Sequence, residues 1–113
     1  MSFEPERWRV DAGEAALARL DIPPHASRER VFEVSCSMTV RVPAAAHEPW
    51  HELQLLADGA MQWQRRIVSA EGSDGLEVRL RRTVAVGQGL RLLAKVRCQG
   101  AQRQTLRLEA EEA

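Results

Sequence analysis

The run His47-Glu48-Pro49-Trp50-His51 matches H-E-x-x-H, the zinc metalloprotease signature. That chemistry needs two histidines four residues apart on one helix face, with the Glu activating a zinc-bound water. Pro49 removes an N–H and would clash with the carbonyl of Ala45 in such a helix. The residues that follow, Glu52-Leu53-Gln54-Leu55, alternate as a strand does. His25 is the only other histidine, so no later one completes a metal site. The segment is expected to be a loop with two solvated histidines. The alternative keeps His47 and His51 as metal ligands, in a metal-binding protein or hydrolase. No G-x-S-x-G, P-loop or paired-carboxylate motif is present. No catalytic residue is assigned and no cofactor is expected.

The second candidate is a set of cations in residues 76–110. Leu76, Val78, Leu80, Val84 and Val86 recur at every second position, and Arg79 and Arg81 stand between them. Leu90, Leu92, Ala94, Val96 and Cys98 repeat the pattern around Arg91, Lys95 and Arg97. Leu106, Leu108 and Ala110 do so again beside Arg103 and Arg107. Side chains alternate across a strand, so a period of two separates a core face from a wet face. Read as consecutive hairpins joined at Gly87-Gln88-Gly89 and near Gly100, the three strands form one sheet. Gly89 is expected to be the left-handed residue of the first turn. Val86 then faces Leu90, Val84 faces Leu92 and Leu80 faces Val96. On the outer face Arg79 meets Arg97 and Arg81 meets Lys95, and such like-charge pairs are unfavourable. The seven cations, opposed by Glu77 and Glu109, read as a surface for an acidic protein, glycan or other polyanion. The competing reading is a solvated sheet face, or one covered by the acidic N-terminal segment. Arg82 breaks the alternation and marks a bulge or the end of the covered area.

Trp8, Trp50 and Trp63 are the only tryptophans. Core packing is the expected fate of Trp8 and Trp63. Trp50 has polar and Pro neighbours and joins the cations as a candidate ligand-binding residue.

The elements that would position these residues read off in order. Residues 3–12 make a strand candidate. Residues 13–22 fit a short helix through Ala15, Ala16, Leu17 and Leu20, or a strand through Ala16, Ala18, Leu20 and Ile22. Pro23-Pro24 ends either. Phe32, Val34, Cys36, Met38, Val40 and Val42 give the cleanest strand, closed by Pro43. Leu53, Leu55 and Ala57 suggest another, and Asp58-Gly59 is a hairpin signal before a return strand over 61–68. Residues 71–75 read as a loop.

This pattern predicts an all-β, antiparallel β-sandwich, immunoglobulin-like or jelly-roll-like, of about seven strands with at most one short helix. A chain of 113 residues is expected to be one domain, 1–113. Cys36, Trp50 and Cys98 resemble the Cys…Trp…Cys spacing of immunoglobulin-type domains, which implies a sandwich. The chain departs from that family in having no Tyr and in placing Pro49 before Trp50. Both cysteines fall on inward faces. Whether they pair stays open, since the first residues lack the apolar core of a signal peptide and the expected compartment is the cytoplasm.

The formal net charge is zero. Residues 1–60 hold six Arg against ten acids, and residues 61–113 hold ten cations against six. Any polyanion site is therefore local. No apolar run is long enough for a transmembrane helix. The expected function is a non-catalytic binding or protein-interaction module, with a homodimer through a strand edge as a further option.

Overall fold

The computed structural model describes residues 4–113. They form eight strands: β1 (Arg7–Asp11), β2 (Leu17–Ile22), β3 (Arg30–Val42), β4 (Trp50–Ala57), β5 (Ala60–Val68), β6 (Gly72–Val84), β7 (Leu90–Gln99) and β8 (Gln102–Glu112). No helix occurs among the described residues. The strands make two antiparallel four-stranded sheets, ordered β1-β8-β3-β6 and β2-β7-β4-β5. Packed face to face, they are a β-sandwich, with eight strands where about seven are expected. The expected strand over 3–12 is β1, and residues 1–3 lie outside the described residues.

Alternation explains the core. Phe32, Val34, Cys36, Met38, Val40 and Val42 of β3 are all buried, as are Leu53, Leu55 and Ala57 of β4. Leu90, Leu92, Ala94 and Val96 come from β7, and Leu106, Leu108 and Ala110 from β8. The ambiguity at 13–22 resolves as a strand, because Ala18, Leu20 and Ile22 then bury on one side against β7. Asp58 and Gly59 both have positive φ, 50° and 82°. That is the geometry of a two-residue hairpin whose twist matches its strands.

The expected sheet over 76–110 is corrected. β6 pairs with β3, β7 pairs with β2 and β4, and β8 pairs with β1 and β3. Val84 therefore does not face Leu92 across a ladder, nor Leu80 Val96; the two runs line the same core from opposite sheets. Gly87-Gln88-Gly89 is a crossing between layers. Gly87 is the left-handed residue, at φ 77°. Gly89 is needed for a different reason, since a Cβ there would sit 2.8 Å from the Ile22 carbonyl oxygen. β6 also starts earlier than expected, with Gly72 to Gly75 paired to Val42 through Thr39. The ladder is continuous past Arg82, opposite Phe32, so no bulge occurs there. Arg82 lies on the core side where cover ends, and reaches Gln62 Oε1 at 3.2 Å and Asp58 Oδ2 at 3.6 Å.

One end is tied by charge. The Arg30 side chain is 1% exposed and donates to Glu6 Oε1 at 2.8 Å, to the Pro23 carbonyl and to the Gln88 carbonyl. Arg28 contacts Glu6 at 2.9 Å and Glu112 at 2.8 Å. Trp8 Nε1 also donates to Glu6. The chain before β1, the β2–β3 loop, the β6–β7 crossing and the last strand meet at this cluster.

Candidate functional site

The structure separates the two histidines of the H-E-x-x-H match. His47 is 93% exposed in the loop before β4, and Glu48 is left-handed at φ 46°. His51 is on β4 and fully buried, which corrects the expectation of two solvated histidines. The strand begins at Trp50, so alternation turns position 51 inward with 53, 55 and 57. His51 Nε2 lies 3.2 Å from the Gly75 carbonyl, and Nδ1 lies 2.7 Å from Ser69 Oγ. A carbonyl only accepts, so Nε2 carries a proton, and in the neutral imidazole Nδ1 accepts from the Ser69 hydroxyl. Both ring nitrogens are used in fastening the β5–β6 connection. The Asp74 carboxyl, near the start of β6, accepts backbone N–H groups from Ala70 and Gly75, which hold it below its ordinary 3.8. Among the described residues no group of three His, Cys, Asp or Glu side chains could hold a metal.

Cys36 and Cys98 are both free thiols. Burial pushes the Cys36 thiol up to about 12, so it stays protonated. Cys98 Sγ lies 3.2 Å from the Ala101 carbonyl oxygen.

The expected basic stripe is divided between the two outer faces of the sandwich. Arg79, Arg81, Arg103 and Arg107 belong to the sheet of β3. Arg91, Lys95, Arg97 and Trp50 belong to the sheet of β4. Arg79 is opposite Ser35, not Arg97, and Arg81 is opposite Glu33, not Lys95. The described part of the N-terminal segment covers neither face: β1 lies at a sheet edge beside β8.

On the β3 sheet the cations are matched. Arg81 meets Glu33 at 2.6 Å, Arg79 meets Glu77 at 3.2 Å and Arg107 meets Asp11 at 2.7 Å. Arg103 donates to the Glu14 carbonyl at 2.9 Å. A shallow groove of about 710 Å³ runs over β3, lined by four glutamates and three arginines along with the β3 serines. That balance removes the basic character expected of this face.

The β4 sheet differs. Its outward residues stand in cross-strand rows fixed by the ladders. Trp50 lies between Gln99 and Val68, Glu52 between Arg97 and Arg66, Gln54 between Lys95 and Gln64, and Leu56 between Leu93 and Met61. The Glu52 side chain is only 3% exposed although it points outward. Its carboxylate accepts from Gln64 at 2.9 Å and Gln54 at 3.4 Å. It faces Arg66 at 3.4 Å and Arg97 at 3.9 Å. The Arg66 guanidinium stacks on Trp50, 3.8 Å from the ring centroid, within cation–π range. Trp50 Nε1 donates to Gln99 Oε1 at 3.2 Å. One carboxylate thus organises two arginines and a tryptophan. Lys95 has no ion-pair partner among the described residues. Leu17, Met61 and Val68 are exposed on the same face. Trp8 and Trp63 instead pack against the core, as expected. Arg66 escaped the sequence reading because only the β5 register brings it to Trp50, and Glu52 because its partners lie on the neighbouring strands β5 and β7.

No protein-family model and no curated protein matches the sequence. A solved structure does. The chain is similar in fold to part of dimeric latent PorU from Porphyromonas gingivalis. The TM-score is 0.55 at 13% identity, over 97% of this chain and 13% of the PorU chain. At that identity the likeness is one of fold, and it agrees with the two-sheet architecture. No helix among the described residues is long and apolar enough to cross a membrane.

Proposed function

We propose that the protein is a non-catalytic interaction module, and that it docks an acidic protein partner on the outer face of the β2-β7-β4-β5 sheet. The observation that carries this reading is the Glu52-centred cluster, in which Arg66 and Arg97 are held beside a half-buried Trp50 on an uncovered sheet face. Trp, Arg and Met are the residue types that interfaces concentrate, and anchors held in place before binding lose little entropy on docking. Leu56, Leu93 and Met61 supply apolar area beside them. Arg19, Arg66, Arg91, Lys95 and Arg97 outnumber Asp21, Glu52 and Asp58, so the local field favours an anion. On the β3 sheet the three groove arginines, Arg79, Arg81 and Arg107, are each paired with a carboxylate.

Titration with polyglutamate, followed by backbone amide shifts, tests this. At low salt the shifts should map to β4, β5 and β7 around Trp50. They should weaken as the screening length falls to about 8 Å near physiological ionic strength. Lys95→Glu should reduce affinity several-fold while leaving the fold intact. Shifts confined to β6 and β8, or none at any salt, would sink the reading. Heparin is the comparison ligand: binding to heparin alone would assign the face to an anionic glycan.

A further inference from the structure

The outer face of the other sheet carries a charge pattern that the module reading does not use. Three rows cross β3. In the first, Glu33 stands between Arg81 of β6 and Glu111 of β8. In the second, Ser35 stands between Arg79 and Glu109, and in the third Ser37 stands between Glu77 and Arg107. The floor is Glu33 in the first row and a serine in the second and third, and the two walls are long and charged throughout. At every row the walls have opposite sign, and the sign inverts between the second and third rows. Thr39 and Thr105 continue the floor, joined at 2.6 Å.

We infer that this face is self-complementary, and that two copies of the chain associate through it about a two-fold axis running along β3. Such an axis exchanges the walls while keeping the rows level. Arg81 of each copy then meets Glu111 of the other, Arg79 meets Glu109, and Glu77 meets Arg107. Symmetry doubles the three contacts to six, as an isologous interface requires. The like-charge meetings on the axis are Glu33 and Arg41, each with its own copy, and each Glu33 keeps its own Arg81 at 2.6 Å. A two-fold across the strands through the Ser35 row would instead bring Arg79 and Glu109 against their own copies, and one between the Ser35 and Ser37 rows would leave Arg81 and Glu111 opposite Gly75 and Thr105. A basic or an acidic partner would match half the face and be repelled by the rest; a second copy matches all three rows. The walls meet at their tips above serine floors, so the interface is wet and its strength depends on screening.

Sedimentation tests this at high protein concentration. The wild type should be a dimer at about 10 mM salt, where the screening length is about 30 Å, and a monomer at about 1 M, where it is about 3 Å. Arg81→Glu puts like charges at both symmetry-related contacts, and so does Glu111→Arg. Each variant should be monomeric at low salt. An equimolar mixture should recover a dimer, because the acid introduced at 81 meets the cation introduced at 111, and the native acid at 111 meets the native Arg81. Glu77→Arg mixed with Arg107→Glu is the second such pair, should either of the first variants misfold. Val68→Lys, at an exposed position on the opposite face, should leave the dimer in place. A wild type monomeric at low salt overturns the inference. So does a dimer that survives Arg81→Glu, or a mixture that stays monomeric.

Discussion

Arg30 is a charge inside the protein, and its partner decides whether it belongs there. Glu6 supplies that partner at 2.8 Å. Burial alone would raise the Glu6 carboxyl. Hydrogen bonds from Trp8 and Arg30, with the charges of Arg30 and Arg28, outweigh it and hold the group below 4.5. A carboxyl depressed in the folded state contributes stability that is present above its unfolded value. That stability is lost as pH falls through the folded value. The melting temperature should therefore drop on acidification below about pH 4.5, where the unfolded chain begins to take up this proton. Glu6→Gln should lower stability at neutral pH and flatten the acid limb. Glu6→Ala should cost on the order of 3–5 kcal/mol, because it strands a buried guanidinium. An acid limb unchanged in Glu6→Gln would show that other carboxylates govern it. At the opposite end Ser69→Ala should cost about 1–3 kcal/mol by leaving His51 Nδ1 buried without a donor, measured by urea unfolding. Neither role was legible in the sequence. Arg30 and His51 fit the inward parity of β3 and β4, but a charged or titratable residue at a strand end reads as solvated until its partners are known. Those partners lie 24 and 18 positions away.

At the scale of elements, alternation says which way a residue faces and not which strand lies beside it. The inward positions of β6, β7 and β8 are read correctly from period two, while their expected pairing is wrong. In a sandwich, two apolar rows satisfy each other equally well across a ladder or across the core. The fold class was therefore legible, but the stripe was not, since its seven cations needed one sheet and received two. The crossing between β6 and β7 discriminates the alternatives. Gly87→Ala should cost about 1–2 kcal/mol for its left-handed φ, whatever the neighbours. Gly89 has no positive φ, so as a hairpin residue it would tolerate Ala. In the layered crossing its Cβ meets the Ile22 carbonyl, and Gly89→Ala should cost about 1–3 kcal/mol through the backbone shift it forces. Equal stability of Gly89→Ala and wild type in a denaturant melt would contradict the close approach.

Across the whole molecule, the two sheets leave β5 and β6 as successive edge strands of opposite layers. β6 is thirteen residues long and hydrogen-bonds on one side only, to β3. A long free edge invites pairing with another chain, and inward-pointing charges are one way to discourage it. Arg82 is such a charge. It occupies a core-side position of β6 between Leu80 and Val84 and spans the seam to Asp58 and Gln62 of the other sheet. Arg65 takes the matching core-side position on β5, between Trp63 and Ile67, and remains exposed. A second strand adding to β6 would have to bury Arg82 beside an apolar row. Arg82→Val removes that obstacle and completes an apolar alternation from Leu76 to Val84. The ion pair it deletes is partly exposed, so folding stability should change by only about 0–1 kcal/mol. Light scattering during slow heating should nonetheless rise at a lower temperature than in the wild type, ahead of the loss of β signal. Arg82→Lys, which keeps an inward charge, should behave as the wild type does. If Arg82→Val unfolds and scatters together with the wild type, the edge is guarded by something other than this arginine.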